Sequence, residues 1–328
     1  MSFFQHIRIS AWWFKLPPFL MLLYLYFIEE NIYDFYQQIS LILFLSAGLI
    51  IIAVFASFIN NYYDQEDDLK AGKENKMINL GKKQQFAVLG ISVVAGIFYS
   101  FFLIQNLYAL TFYWLSWFCF YIYSNKKTRL KEKTYLGVIF DGLGSQFFPV
   151  LFLFSFLYIK NFENHLVSII SGTIWMTFSF GMRSLIIHQY YDYENDIKSG
   201  VRTFVNNTVP LSRDIFQGFV LTVEVVSFIV FIWSVDLQIF IIPILIYILL
   251  LFVLKTFNVK FYFFNPSQNQ KSRSFFFDFY ITILPITLLG LLTLKNSQNG
   301  ILLIVSIILF NVPTLFKAIN FFKLKIIR

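Results

Sequence analysis

The sequence predicts an all-α protein: a polytopic bundle of nine or ten transmembrane helices that forms a single integral membrane domain over residues 1–328. Hydrophobic residues make up 58% of the chain and charged residues only 13%, whereas a soluble domain is about one quarter charged. Apolar runs long enough to cross a bilayer, about 20 residues each, follow one another along the chain. A lone cysteine, Cys119, rules out an internal disulfide. These observations exclude soluble, disordered and disulfide-rich secreted proteins.

Ten apolar windows are candidate spans. Pro17 and Pro18 suit the first turn of the first one, because proline is tolerated where the helical amide has no partner. The windows lie at 12–28, 39–60, 86–104, 107–124, 135–159, 166–190, 214–235, 238–257, 275–294 and 299–318.

The net charge of +8 is distributed unevenly between alternate loops. Lysine and arginine concentrate in segments 70–83, 126–133, 198–213, 255–273 and 323–328, while the opposite loops contain Lys160, Lys295 and several acidic residues. By the positive-inside rule the basic side is cytoplasmic, and so are the N-terminus and the C-terminus. We therefore expect an integral protein of a bacterial plasma membrane. No recognition module accompanies the charge, so the partner is the lipid bilayer and not nucleic acid.

Aromatic residues are abundant: 44 Phe, 19 Tyr and 6 Trp. Composition favours the interpretation that they face lipid and form interfacial belts. The alternative is an aromatic-walled cavity that stabilises a carbocation by cation–π attraction.

An internal repeat is the most informative feature of the sequence. The segment YYDQEDDLKAG at 62–72 recurs as YYDYENDIKSG at 190–200. Four spans separate the copies, so both are expected at the same cytoplasmic face, as parallel structural repeats require. The repeat predicts two similar four-helix halves around a central cavity, at about 12–134 and 135–257, followed by C-terminal spans at 275–318.

Each copy contains two aspartates four residues apart, Asp64 with Asp68 and Asp192 with Asp196. Side chains at this spacing lie on one helix face, where like charges repel. Asn60 extends the first face by one turn. Carboxylates of this kind suit Mg²⁺, which takes one or two of them together with substrate phosphates and water. The alternative is a pair of solvated helix ends with neighbouring lysine partners.

A third cytoplasmic segment, at 123–131, contains Arg129 and Lys131. Guanidinium and ammonium groups bind phosphate oxygens. The alternative is ordinary positive-inside charge, and the sequence leaves this open for both residues. For the other lysines of the segment the second interpretation is preferred.

Asp141 lies inside the fifth span, beside Gly142 and Gly144. An ionisable residue within a span is costly and is often functional. Asp141 is a candidate to orient or deprotonate a substrate, with the two glycines offering space. Pairing with Arg183 is an equal alternative.

Two further residues are candidates. Glu224, in the middle of the seventh span, is either functional or a neutral hydrogen-bonded side chain. His188 stands at the repeat position of Asn60, which makes it a candidate diphosphate contact.

Together these segments resemble the UbiA superfamily of intramembrane prenyltransferases. The residues from Asn60 to Asp68 resemble its first motif, NDxxDxxxD, with Asn61 in place of the usual aspartate. The residues from Asp192 to Asp196 resemble its second motif, DxxxD. The segment 123–137 is similar to a tyrosine-containing loop of one branch of the superfamily. The likeness covers roughly residues 8–257.

The resemblance implies an enzyme that transfers a prenyl group from a polyprenyl diphosphate to a lipophilic or aromatic acceptor in the membrane. It implies that Asp64, Asp68, Asp192 and Asp196 hold Mg²⁺ at a cytoplasmic mouth. Asp141 is a further candidate catalytic residue because of its position within the fifth span. The substrate-binding residues implied are Asn60, Tyr123, Ser124, Arg129, Lys131, Lys198 and Arg202, and the repeat adds His188 as a candidate.

Two departures from the family pattern stand out. The arginine that many members place after the first motif is absent from Gly72-Lys73-Glu74-Asn75-Lys76, and members usually have nine spans. Two other functions stay open: a terpene cyclase of the same architecture, which needs no acceptor, and a transporter. A transporter is the least favoured, because transporter sites lie near the bilayer midplane and these carboxylates cluster at one face.

Overall fold

A computed structural model describes residues 13–72, 74–75, 77–266 and 272–311 of the chain. The first residue of the first predicted span, the end of the last one and the basic residues Lys73, Lys76 and Lys271 lie outside the described residues, as does everything after Asn311.

A helix occurs at each of the ten predicted spans, and short helices lie between some of them. Within the described residues, six helices are long and apolar enough to cross a membrane: Phe35–Tyr63, Lys82–Phe101, Thr134–Leu157, Phe162–Tyr191, Pro210–Val235 and Leu237–Thr256. That all ten windows cross the bilayer stays a prediction. The helices are α1 Leu16–Glu29, α2 Phe35–Tyr63, α3 Gln65–Lys70, α4 Lys82–Phe101, α5 Leu107–Ser124, α6 Thr134–Leu157, α7 Phe162–Tyr191, α8 Tyr193–Ser199, α9 Phe204–Asn207, α10 Pro210–Val235, α11 Leu237–Thr256, α12 Phe279–Lys295 and α13 Ser297–Asn311.

Two short strands were not expected from the sequence. β1 Lys260–Tyr262 and β2 Ser272–Ser274 form a two-stranded sheet in the loop between α11 and α12. The prediction of an all-α protein therefore holds for the helices and misses this one sheet.

Local chemistry accounts for several helix starts. Pro17 and Pro18 occupy the first turn of α1, as predicted. The side chain of Asn106 caps α5 by accepting a hydrogen bond from the amide of Ala109 at 3.0 Å. Asp236 caps α11 in the same way. These caps satisfy amides that have no partner within the helix.

The helices belong to two compact units. One contains residues 47–235, together with 261–266 and Ser272, and the other contains residues 13–46, 236–260 and 273–311. In the second unit α12 packs against α1, and Asn296 donates to the carbonyl of Tyr33 at 2.9 Å. The division into two repeat halves stays a prediction.

In the first unit, α7 packs along α10 and α5 packs along α6. Glycine allows the first contact, because a Cβ on Gly172 would lie 2.8 Å from the ring of Phe231. In the same unit the buried rings of Phe55 on α2 and Trp117 on α5 stack with centroids 4.1 Å apart.

Aromatic residues fall into two classes. Phe98, Phe101 and Trp233 are largely exposed, as side chains that face lipid would be. Tyr99 and Tyr113 are buried in contact with each other. The lipid-facing interpretation therefore accounts for part of the aromatic content, and internal packing accounts for another part.

Candidate functional site

The two acidic motifs have the same backbone conformation. In each copy a long helix ends one residue before the first aspartate, and a short helix begins one residue after it. The dihedral angles of these two aspartates agree closely: φ −93° and ψ 3° at Asp64, φ −91° and ψ 2° at Asp192. The sequence repeat is therefore also a structural repeat.

Hydrogen bonds with helical spacing continue through both breaks. The amide of Asp68 donates to the carbonyl of Asp64 at 2.9 Å, and the amide of Asp196 donates to the carbonyl of Asp192 at 2.9 Å. The first aspartate of each pair is the one residue between the long helix and the short helix. The i, i+4 relation within each pair is retained.

Glycine ends both motif helices. Gly72 has φ 68° and Gly200 has φ 74°. Side chains with a Cβ rarely adopt this left-handed conformation, which is why glycine commonly follows the last turn of a helix. The chain leaves the two motifs by the same turn.

The two acidic motifs lie next to each other. The motif helices α3 and α8 contact each other within the first unit. The half-buried hydroxyl of Tyr123, at the end of α5, lies within electrostatic range of Asp64, Asp196 and Asp141. Asp64 of the first motif, Asp196 of the second motif and Asp141 of the fifth span therefore all lie near Tyr123.

The first motif pairs with segment 125–133, which connects α5 to α6 and contains Arg129 and Lys131. The ammonium of Lys131 is bound to the carboxylate of Asp64, and each of these side chains is only 11% exposed. The guanidinium of Arg129 is bound to Asp67 and to Glu132. Both basic residues that the sequence left undecided therefore lie against the acidic motif.

Electrostatics keeps Arg129 charged. Burial opposes its charge, but the hydrogen bond and charge of Glu132, together with Asp67 and Asp64, outweigh burial and raise the pKa of the guanidinium. Arg129 is held in an uncommon backbone conformation, with φ 39°.

Gly137 allows the backbone of segment 125–133 to pack closely against α6. A Cβ at Gly137 would lie 2.9 Å from the carbonyl oxygen of Lys131. The segment thus reaches the acidic motif along a surface that a larger residue would block.

Asn75 is a functional candidate that the sequence analysis missed. Its amide nitrogen donates to the carboxylate of Asp68 at 2.7 Å and to the carbonyl of Asn61 at 2.8 Å. Its side chain is buried. The available signal was an asparagine shortly after the motif, but its partners lie 7 and 14 residues away and are set by the folding of the loop.

The second motif is more exposed. The imidazole of His188 lies 3.5 Å from the carboxylate of Asp192, and the His188 side chain is 67% exposed. Lys198 and Arg202 are exposed beside it. The predicted substrate-binding residues of this copy therefore face outward around the motif.

Asn60 and Ser124 meet at the first motif, where the hydroxyl of Ser124 donates to the side-chain oxygen of Asn60 at 3.4 Å. Ser124 is buried. Two of the predicted substrate-binding residues, from α2 and α5, are thus neighbours.

The glycines beside Asp141 do not provide open space. A Cβ on Gly142 would lie 3.1 Å from Met182, and one on Gly144 would lie 3.1 Å from Cys119. This part of the prediction is wrong, because the glycines allow close helix packing.

Two of the charged residues predicted within spans, Arg183 and Glu224, form a pair with each other. They make two hydrogen bonds, of 2.6 and 2.9 Å, and both side chains are fully buried. Glu224 is therefore hydrogen-bonded, as the second interpretation expected, but within an ion pair with Arg183.

Magnesium fits the donor chemistry of the site. The candidate ligands are carboxylate oxygens, which hard cations prefer. Among the described residues, no three acidic, histidine or cysteine side chains converge to form a complete cage. Pairs of carboxylates are nevertheless what Mg²⁺ needs when phosphate oxygens supply further ligands.

Comparison with known proteins identifies the family. A sequence model of the UbiA prenyltransferase family matches residues 16–284, a range that includes both acidic motifs and segment 123–137. No curated protein and no solved structure matches the chain significantly. The family match covers most of the chain and agrees with the resemblance inferred from the motifs. The chain therefore belongs to the UbiA prenyltransferase family.

Proposed function

We propose that the protein is an integral membrane enzyme that transfers a prenyl group from a polyprenyl diphosphate to a lipophilic or aromatic acceptor, with Mg²⁺ as cofactor. One observation carries the proposal: the two motifs share one backbone conformation, and their short helices contact each other. Two carboxylate pairs brought together from separate parts of the chain suit a clamp on a metal–diphosphate group.

Four carboxylates form the proposed metal site: Asp64, Asp68, Asp192 and Asp196. When bound, Mg²⁺ supplies positive charge that stabilises the leaving diphosphate. The carboxylates orient the leaving group, and Asn75 holds Asp68 in place through its 2.7 Å hydrogen bond.

Basic residues on both sides of the clamp bind the phosphate oxygens in this proposal. Arg129 and Lys131 already lie at the first motif, while Lys198 and Arg202 lie exposed near the second. Further contacts with the diphosphate come from the neutral side chains of Asn60 and Ser124 and from the titratable imidazole of His188. This arrangement surrounds a diphosphate with donors from several elements.

Bond cleavage leaves an allylic cation, which the acceptor captures with loss of a proton. The Tyr123 ring offers a π-face close to the motif carboxylates, and such faces attract cations. Asp141 lies in the same surroundings. We assign Asp141 the role of accepting the proton from the acceptor or orienting it.

The proposed orientation places the diphosphate site and the N-terminus in the cytoplasm, with the prenyl tail within the bilayer. It rests on the lysine and arginine distribution among the loops.

The test is incubation of the purified protein with labelled farnesyl or geranylgeranyl diphosphate and Mg²⁺, with and without a membrane lipid extract. We expect label to enter a larger product only when the extract is present, and chelation of Mg²⁺ to abolish it. A cyclic hydrocarbon or alcohol formed at full rate from the diphosphate alone would replace the transferase with a cyclase. Absence of diphosphate release under every condition would contradict both.

A further inference from the structure

We propose that Lys131 competes with the divalent cation for Asp64, so that the first motif binds the cation tightly only together with a diphosphate. The inference rests on the proposed function, because it concerns the same carboxylates. It assigns to Lys131 a part in the order of binding, in addition to contact with phosphate.

The position of the ammonium carries the argument. Lys131 is bound directly to an oxygen of Asp64, and both side chains are 11% exposed. An ion pair this well shielded is screened less by salt and water than a surface pair. A cation that approaches Asp64 must displace this ammonium or share the carboxylate with it at close range, where like charges repel strongly.

A cation alone offers Lys131 nothing in exchange. The displaced ammonium would lose its carboxylate partner within a largely buried site, and an unpaired buried charge is unfavourable. A diphosphate changes this balance, because its oxygens accept hydrogen bonds from ammonium. The cation and the diphosphate therefore bind with positive coupling, and by linkage each strengthens the other by the same factor.

The second motif provides an internal contrast. The corresponding aspartate, Asp192, has His188 as its neighbour at 3.5 Å, and that histidine is 67% exposed. An imidazole is charged only when it is protonated. The exposed side chain of His188 can also turn away from Asp192 into solvent. The largely buried lysine that stays charged at all pH values near neutrality is a contact of the first motif.

Segment 125–133 contains and adjoins residues in a disfavoured backbone conformation. Arg129 and Thr134 flank its short helical turn, Leu130–Glu132, with φ of 39° and 35°. Residues other than glycine are disfavoured at such angles, and they persist where surrounding contacts hold them. Displacement of Lys131 from Asp64 would remove one of those contacts.

Direct cation binding tests the proposal. The free Mn²⁺ signal in electron paramagnetic resonance is titrated against the purified protein, with and without inorganic pyrophosphate as the probe. The variant is Lys131→Met. The matched control is Lys126→Met, which removes the same charge from the same segment but from an exposed pair with Glu66 at 3.3 Å.

We expect Lys131→Met to bind Mn²⁺ about tenfold more tightly than the unaltered protein without pyrophosphate, and to gain less affinity when pyrophosphate is added. Lys126→Met should behave like the unaltered protein. If Lys131→Met does not fold, as judged by circular dichroism and thermal unfolding, Lys131→Gln serves the same comparison.

Failure of the competition and failure of the proposed function give different results in this experiment. Unchanged or weaker Mn²⁺ binding by a folded Lys131 variant, or equal tightening by Lys126→Met, overturns the competition and leaves the proposed function intact. Failure of the unaltered protein to bind Mn²⁺ even with pyrophosphate contradicts the metal site of the proposed function, and the competition with it.

Discussion

Arg183 on α7 and Glu224 on α10 form a fully buried ion pair within the first unit, in which the arginine Nε and Nη2 atoms donate to the two oxygens of one carboxylate. Both residues lie within helices long and apolar enough to cross a membrane. Each charge is therefore compensated by the other, and two-point pairing fixes the relative position of the two helices.

Removing one partner of this pair should destabilise the protein strongly. Glu224→Ala leaves the guanidinium buried without its carboxylate, and we expect a loss of about 3–5 kcal/mol in the free energy of unfolding. Thermal unfolding in detergent measures it. The double variant Arg183→Met/Glu224→Leu removes both charges and should lose clearly less stability than the single variant. An equal or greater loss would show that the packing of these side chains matters more than their charges.

The motif aspartates should be essential for turnover. Replacing any one of the four with asparagine removes a charge that holds the metal, and we expect turnover to fall about a hundredfold or more. Folding should survive, since asparagine has the size of aspartate and keeps a side-chain oxygen that can accept hydrogen bonds from Lys131 at position 64 and from Asn75 at position 68. Glu66→Gln is the control, because Glu66 lies on the same short helix but is 73% exposed in its pair with Lys126. Near-full activity in an Asp64/Asp192 double variant would contradict the assignment.

Gly181 should tolerate no side chain. A Cβ there would lie 2.7 Å from the Cα of Gly142, a backbone contact that no side-chain rotation relieves. We expect Gly181→Ala to lower the thermal unfolding midpoint markedly, because α6 and α7 must move apart. Gly218→Ala, in the interior of α10, has nothing within 4 Å of the new Cβ. It should be neutral or slightly stabilising, since alanine favours helix. Equal effects of the two substitutions would be inconsistent with the close crossing.

Topology can be tested with reporter fusions along the chain. The lysine and arginine distribution predicts a cytoplasmic signal for fusions on the basic side and the opposite signal for the alternate loops. A cytoplasmic C-terminus supports ten spans, whereas an external one supports nine. The cytoplasmic fusion points are Lys83, Lys133, Arg213, Arg273 and Arg328, and the external ones are Lys160 and Lys295.

Much of the fold was predictable because it depends on short stretches of chain. An apolar run of about 20 residues forms a helix in a membrane whatever its neighbours are, since the backbone must satisfy its own hydrogen bonds there. The spacing of Asp64 and Asp68 is likewise a local property, and both pairs keep their i, i+4 hydrogen bonds. The family was predictable for the same reason, because motif residues lie close together in sequence.

Other features depended on residues far apart. Lys131 and Asp64 are 67 residues apart, and Arg183 and Glu224 are 41 apart. The sequence allowed Lys131 to be either a phosphate ligand or ordinary loop charge, and it allowed Arg183 to pair with Asp141.

By itself the sequence determined that this chain is a membrane-embedded helical protein with two copies of an acidic motif, because hydrophobicity and i, i+4 spacing act over one or two helical turns. Only the tertiary structure decided which basic side chain binds which carboxylate. It also decided that Met182 and Cys119 occupy the space beside Gly142 and Gly144. Those outcomes depend on which helix faces pack together, and many alternative pairings satisfy the same local pattern. Arg183 and Glu224 form an ion pair because an unpaired charge in the protein interior is far less stable than a paired one.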